Sequence, residues 1–259
     1  MFKRFVRVTC ALAVTSSLFL SAPASAQGAR AMRAPINVQW LGHAAFEITS
    51  SGGTRLLIDP FLSGNPSTPD SLKALSRYKP AAILVTHSHA DHALDAKAIA
   101  MASGAMVISA YEWVNTLGLP EKQAMGGNVG GTFKVGDVTV HIVPAMHSSD
   151  PGGRPVGFVL EFADGRTIYH TGDTWLFGDM ALIQELYHPN IVLIGAGGGP
   201  YTQGPADARR EITKYFKPQV IVPMHYGTFP GLATEAQVRA GFAGDRRLQV
   251  MKPGESRTF

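Results

Sequence analysis

Four potential metal ligands stand within six residues at the end of an apolar run, where Ile83-Leu84-Val85-Thr86 leads directly into His87-Ser88-His89-Ala90-Asp91-His92. Alternate side chains of extended backbone share a face, so His87 and His89 can meet one ion, while a turn after them carries Asp91 and His92 toward a second. A chance cluster or a solvated turn is a poor alternative in a chain with nine histidines among 259 residues. The hexad therefore demands a fold in which strand ends from distant parts of the chain meet at one rim.

One cluster cannot complete two sites, because each ion needs three or more protein ligands with a position left for water. Further candidates stand where other apolar runs end. His147 follows Val140-His141-Ile142-Val143-Pro144, Asp173 closes Tyr169-His170-Thr171-Gly172-Asp173, and His225 follows Val220-Ile221-Val222-Pro223-Met224. Strand ends on one rim are where such ligands converge.

Thiolate is missing from this chemistry. The only cysteine is Cys10, inside a stretch that reads as a secretory signal. Lys3, Arg4 and Arg7 precede an apolar run from Val8 to Leu20 and then Ala24-Ser25-Ala26, the small-x-small pattern of a cleavage site. A leader over residues 1–26 is expected, with Gln27 first in a periplasmic or secreted product and one domain over 27–259. About a dozen uncharged residues fall short of the roughly 20 a spanning helix needs. The formal net charge of +4 drops by three with the leader, leaving 20 basic against 19 acidic residues. That balance gives no electrostatic reason to expect nucleic acid, and no membrane attachment is expected after cleavage.

A hydrophobic content of 45% supports a substantial core. Ile36 to Thr49, Thr54 to Ile58, Ile83 to Thr86 and Met106 to Ser109 read as strands, with a helix over Ala93 to Ala102. Hairpins are expected around Gly136-Asp137 and around Ala163-Asp164-Gly165. Helix and strand then alternate: Asp179 to Tyr187, Ile191 to Ile194, Asp207 to Phe216, Val220 to Pro223, Thr234 to Phe242 and Leu248 to Met251. This order predicts an α/β chain with two sheets and helices outside them.

The sequence resembles the metallo-β-lactamase superfamily in its His-x-His-x-Asp-His hexad. Within it, Trp40-Leu41-Gly42-His43-Ala44, Leu57-Ile58-Asp59-Pro60-Phe61 and Pro223-Met224-His225-Tyr226 look like the branch of small metal-dependent hydrolases that includes the ascorbate-phosphate lactonase type. The resemblance implies a four-layer αββα sandwich. It also implies His87, His89 and His147 on one divalent ion, Asp91, His92 and His225 on another, and Asp173 as the bridge. Zinc suits these nitrogen and oxygen ligands, and manganese or iron(II) is compatible. In such a centre a metal-bridging hydroxide attacks an ester, lactone or phosphoester of a small-molecule substrate. Asp91 and His43 are the candidate catalytic side chains, His43 through substrate contact or proton donation. Asp59 is expected behind the first site and His170 behind a ligand, whereas His141 and His188 read as structural.

One departure concerns specificity. Relatives carry a short Ile-Gly-Gly run with a polar residue before an aromatic, whereas this chain reads Ile194-Gly195-Ala196-Gly197-Gly198-Gly199-Pro200-Tyr201. Pro200 takes the polar position, so the substrate of relatives does not transfer. Competing readings are a β-lactam-hydrolysing enzyme, a non-catalytic periplasmic metal-binding protein and a flavodiiron-type reductase. The last would replace a hexad histidine by a carboxylate and add a flavin domain.

Overall fold

The computed structural model describes residues 1–2 and 34–259. Most of the expected leader lies outside the described residues. Among those described, no helix is long and apolar enough to cross a membrane.

The strands fall into two sets by chain order. The first contains β1 (Asn37–Gly42), β2 (Ala45–Thr49), β3 (Arg55–Ile58), β4 (Ala82–Leu84), β5 (Met106–Ala110) and β6 (Ala124–Gly127). The second contains β7 (Thr132–Val135), β8 (Val138–Pro144), β9 (Val156–Phe162), β10 (Thr167–His170), β11 (Ile191–Gly195) and β12 (Val220–Met224). A last strand, β13 (Ser256–Thr258), returns to the first sheet beside β1. Each sheet is antiparallel through its hairpins and parallel from β3 to β6 and from β10 to β12. The helices are α1 (Ala90–Ala93), α2 (Ala96–Ser103), α3 (Tyr111–Val114), α4 (Met180–Tyr187), α5 (Pro205–Tyr215) and α6 (Glu235–Gly241).

The two-residue period of β structure sorts the apolar side chains into layers. Leu56, Ile58, Leu84 and Ile108 join the cluster that also holds Val140, Ile142, Phe158 and Leu160 of the second sheet. Their neighbours Leu57, Ile83, Val85 and Val107 point the other way and pack with Ile99 and Ala100 of α2 and with Trp113 and Val114 of α3. Ile183 of α4, Ile212 of α5 and Val238 of α6 belong to the larger cluster. The result is the expected order of helices, sheet, sheet, helices. Each fully buried Val, Leu, Ile or Phe contributes roughly 1.5–3 kcal/mol, so strands with both faces covered are held firmly while their polar ends stay at the rim.

Two expectations need correction. The run Ile36 to Thr49 is two antiparallel strands, β1 and β2, with Gly42 paired to Ala45 across a turn at His43 and Ala44. Gly42 at φ 109° and His43 at φ 55° provide the reversal. The segment Leu248 to Met251 forms only a bridge from Leu248 to Ile221 and is not a strand.

Candidate metal centre

Every residue expected at the site follows the carboxyl end of a strand or sits in the turn after it. Asp59 follows β3, the hexad follows β4, His147 follows β8, Asp173 follows β10 and His225 follows β12, while His43 occupies the β1–β2 turn. His43, Asp59 and His225 have φ of 55°, 43° and 64°. Non-glycine residues seldom adopt that region, and here it turns each side chain back over the rim.

All seven expected ligands come together. His87, His89 and His147 form one group, His43, Asp91, His92 and His225 a second, and His87, His92 and Asp173 a third, the polar atoms of each group lying within 4.8 Å of one another. Asp173 lies between the first two: its Oδ2 is 3.8 Å from His147 Nε2 and 3.0 Å from His225 Nε2. Its Oδ1 is 3.5 Å from His92 Nε2.

The polar atoms fit a cation. His92 Nε2, His225 Nε2 and Asp173 Oδ1 are buried without a well-formed hydrogen bond, a costly condition unless another partner takes them up. The far edges of several rings are fixed. His92 donates Nδ1–H to Asp59 Oδ2 at 2.8 Å, and Asp59 also accepts from the Thr86 backbone N–H and hydroxyl at 2.7 Å each. With its own proton given to Asp59, the Thr86 hydroxyl can only accept from His87 Nδ1–H at 3.1 Å. These bonds assign protons to both Nδ1 atoms and make Nε2 of His87 and of His92 the inward-facing atoms, as metal ligation needs. The cluster can bind metal.

Electrostatics point the same way. Burial alone would raise the Asp173 carboxyl, but His225 and His92 reverse this and hold it well below the ordinary range. Burial likewise opposes ionisation of Asp91, and His225, 3.6 Å from its Oδ2, together with the hydrogen bond from His43 overcomes it. Burial keeps His87 and His147 neutral. The carboxylates in turn outweigh burial and raise His92, and raise His225 to about 9, so two anions face two imidazoles whose inward protons a divalent cation would displace.

Two sequence expectations change. His43 is fully buried and stands behind Asp91, donating Nε2–H to Asp91 Oδ2 at 3.0 Å while its Nδ1 accepts from the Thr228 hydroxyl at 3.0 Å. It therefore positions Asp91, and burial removes the substrate contact expected of it. Asp59 backs His92, assigned to the second ion, and reaches the first group only through Thr86. Asp173 caps no helix, because the next one starts at Met180. His170 bonds backbone at both ring nitrogens, to Ala44 O at 3.0 Å and from Gly172 N–H at 3.1 Å, and so pins the turn that carries Asp173. Thr86 and Thr228 went unnoticed in the sequence, although each adjoins or nearly adjoins a ligand.

A cleft of about 610 Å³ opens onto this cluster, reached by His89, Asp91, His147, Asp173 and His225. Residues 37–225 match the family described as Beta-lactamase superfamily domain, and a metal-dependent hydrolase of Myxococcus xanthus is 47% identical over 212 residues, 78% of this chain and 74% of its own. The chain belongs to the metallo-β-lactamase superfamily, in its branch of small metal-dependent hydrolases. A second hydrolase of that branch, from Anaeromyxobacter sp. strain K, is 41% identical and covers 89% of both chains. Among solved structures, Igni18, a metallo hydrolase from Ignicoccus hospitalis, is 35% identical with a TM-score of 0.77, over 87% of this chain and 98% of its own. This protein is accordingly a metal-dependent hydrolase.

Proposed function

We propose that the protein is a binuclear hydrolase of esters, lactones or phosphoesters, exported from the cytoplasm. The observation that carries this reading is the place of Asp173 Oδ2 between His147 of one group and His225 of the other. In this reading His87, His89 and His147 hold one divalent ion, Asp91, His92 and His225 hold the other, and Asp173 bridges them. Zinc fits the donor set, with manganese or iron(II) as substitutes. Bound divalent ions supply Lewis acidity and lower the pKa of a coordinated water.

The chain's own groups do the rest. Asp59 and Thr86 orient the rings of His92 and His87. Thr228 and His43 hold Asp91 in a single orientation, and Asp91 lines the cleft, within reach of both substrate and site. Asp91 is the carboxylate suited to accept a proton from water at Oδ1, since Oδ2 is engaged by His43. An open cleft over the cluster favours catalysis over storage of metal.

The test is elemental analysis of metal-reconstituted mature protein together with hydrolysis of p-nitrophenyl esters and phosphoesters. Two ions per chain with metal-dependent turnover are expected. One ion at saturation overturns the binuclear reading. Mass analysis of periplasmic protein is expected to find Gln27 at the amino terminus, and an intact Met1 overturns export.

A further inference from the structure

The cleft has a second lobe. Beyond His147, Pro200 and Tyr201, which belong to both, a depression of about 440 Å³ is walled by Met146, Trp175, Thr202, Gln203 and Asp207. The first lobe is walled, besides the histidines and carboxylates, by Phe61, Phe229, Pro230 and Leu232. Both volumes lie in the range that takes small organic ligands.

The walls of the second lobe are fixed to the metal centre by the chain itself. Met146 precedes His147, and Trp175 follows Asp173 by two residues. Trp175 N–H donates to Met146 O at 3.0 Å, and Met146 N–H donates to the Thr174 hydroxyl at 2.8 Å. Yet the side chains remain in water: Met146 is 56% exposed, Trp175 58% and Tyr201 65%. Large apolar side chains gathered and exposed at one mouth mark a surface meant to be covered by a ligand.

Charge narrows the ligand further. Among the described residues neither lobe is lined by a lysine or an arginine, and the second lobe carries Asp207. In the second lobe a phosphomonoester dianion, or a free carboxylate such as that of a β-lactam antibiotic, would meet no lysine or arginine and one anion.

We propose that, within the hydrolase reading given above, the substrate is a neutral ester or lactone with apolar groups on both sides of the scissile bond. One group lies against Phe61, Phe229 and Leu232 and the other against Met146, Trp175 and Tyr201. Water adds its oxygen to the acyl carbon, the acyl carbon–oxygen bond breaks, and one proton of the water goes to the departing alcohol. The other leaves the carboxylic acid, which ionises in neutral solution.

The test compares four p-nitrophenyl substrates on metal-reconstituted protein: the acetate, the 3-phenylpropionate, the phosphate and the bis(p-nitrophenyl) phosphodiester. kcat/KM for the 3-phenylpropionate is expected to exceed each of the others by about tenfold or more, in line with burial of one aromatic ring. Trp175→Ala and Tyr201→Ala are expected to shrink that preference over the acetate to about threefold or less. A faster phosphoester, a flat response to the acyl group, or a preference that survives both variants overturns the proposal while leaving the hydrolase standing. If nothing is turned over, binding of the neutral amide 3-phenylpropionanilide is read by tryptophan fluorescence. A saturable change absent from Trp175→Phe then upholds the ligand class and removes the ester and phosphoester reading of the reaction, and no saturable change overturns the ligand class too.

Discussion

His92 donates its Nδ1–H to Asp59 Oδ2 across 2.8 Å, with both side chains wholly withdrawn from solvent. The bond has a cost and a use. A carboxylate this deep is tolerable because three donors reach it, two of them from Thr86. Its use is to hold the imidazole in one tautomer, with Nε2 directed at Asp173.

Asp59→Asn places an amide N–H₂ where one set of donors now points. The expected outcome is a 10- to 100-fold loss of metal affinity, the usual consequence of removing the carboxylate behind a ligating histidine. Competition with a chromophoric chelator measures it. Unchanged affinity would mean that His92 is oriented by packing alone.

Asp173→Ala tests the bridge. Activity is expected to fall by at least two orders of magnitude with a thermal midpoint, measured without metal, close to that of the parent. The apolar strands that build the core do not depend on this carboxylate, and no helix begins near Trp175 for it to cap. Normal turnover with two ions bound would remove Asp173 from the centre.

How far the site could be read in advance depended on where the polar residues stood. The hexad and the three distant ligands were legible because each interrupts an apolar run at its end, and a strand end is a place with few possible positions. The β1–β2 turn was hidden because Gly42-His43-Ala44 lacks the Asn-Gly or Asp-Gly pair that marks a tight hairpin, so the run read as one strand. The burial of His43 was hidden with it. Thr86 and Thr228 had no signal, since a hydroxyl that serves a histidine looks like any other threonine until the two rings are in place. Glu211 did carry a signal: Ala208, Glu211, Ile212 and Tyr215 recur at helical spacing, and this puts a carboxylate in the apolar stripe of α5.

Gly197 supports the centre through absence of a side chain. A Cβ there would lie 2.0 Å from His225 O and 2.8 Å from His225 Nδ1, so backbone must move to admit it. Gly197→Ala is expected to cost about 1–3 kcal/mol of stability and to lower metal occupancy, since the displaced atoms belong to His225. Denaturant unfolding and elemental analysis together check this, and a stable variant with full occupancy would show that the loop yields freely.

Glu211 makes stability depend on pH. It is fully buried, and among the described residues its hydrogen-bond partner is Gln203, whose Nε2 donates to Oε2 at 2.6 Å. Burial pushes its carboxyl up to about 8, against the weaker opposing effect of that bond. In the unfolded chain the same group titrates near its ordinary value, about 4.3. Between those values the unfolded chain has released a proton that the folded chain still keeps, so stability is highest at the acid end of the window and falls as pH rises through it. A tenfold difference in proton affinity between the folded and unfolded chain corresponds to about 1.4 kcal/mol, which allows a loss of several kcal/mol by pH 8. Glu211→Gln keeps the shape and is never ionised. The variant is therefore expected to match the parent near pH 5 and to exceed it in unfolding free energy by a few kcal/mol near pH 8.5, with metal content held the same at each pH so that the histidine cluster contributes equally to both. Parallel profiles across that range would mean that Glu211 ionises in place, with water reaching it beneath the glycine-rich loop.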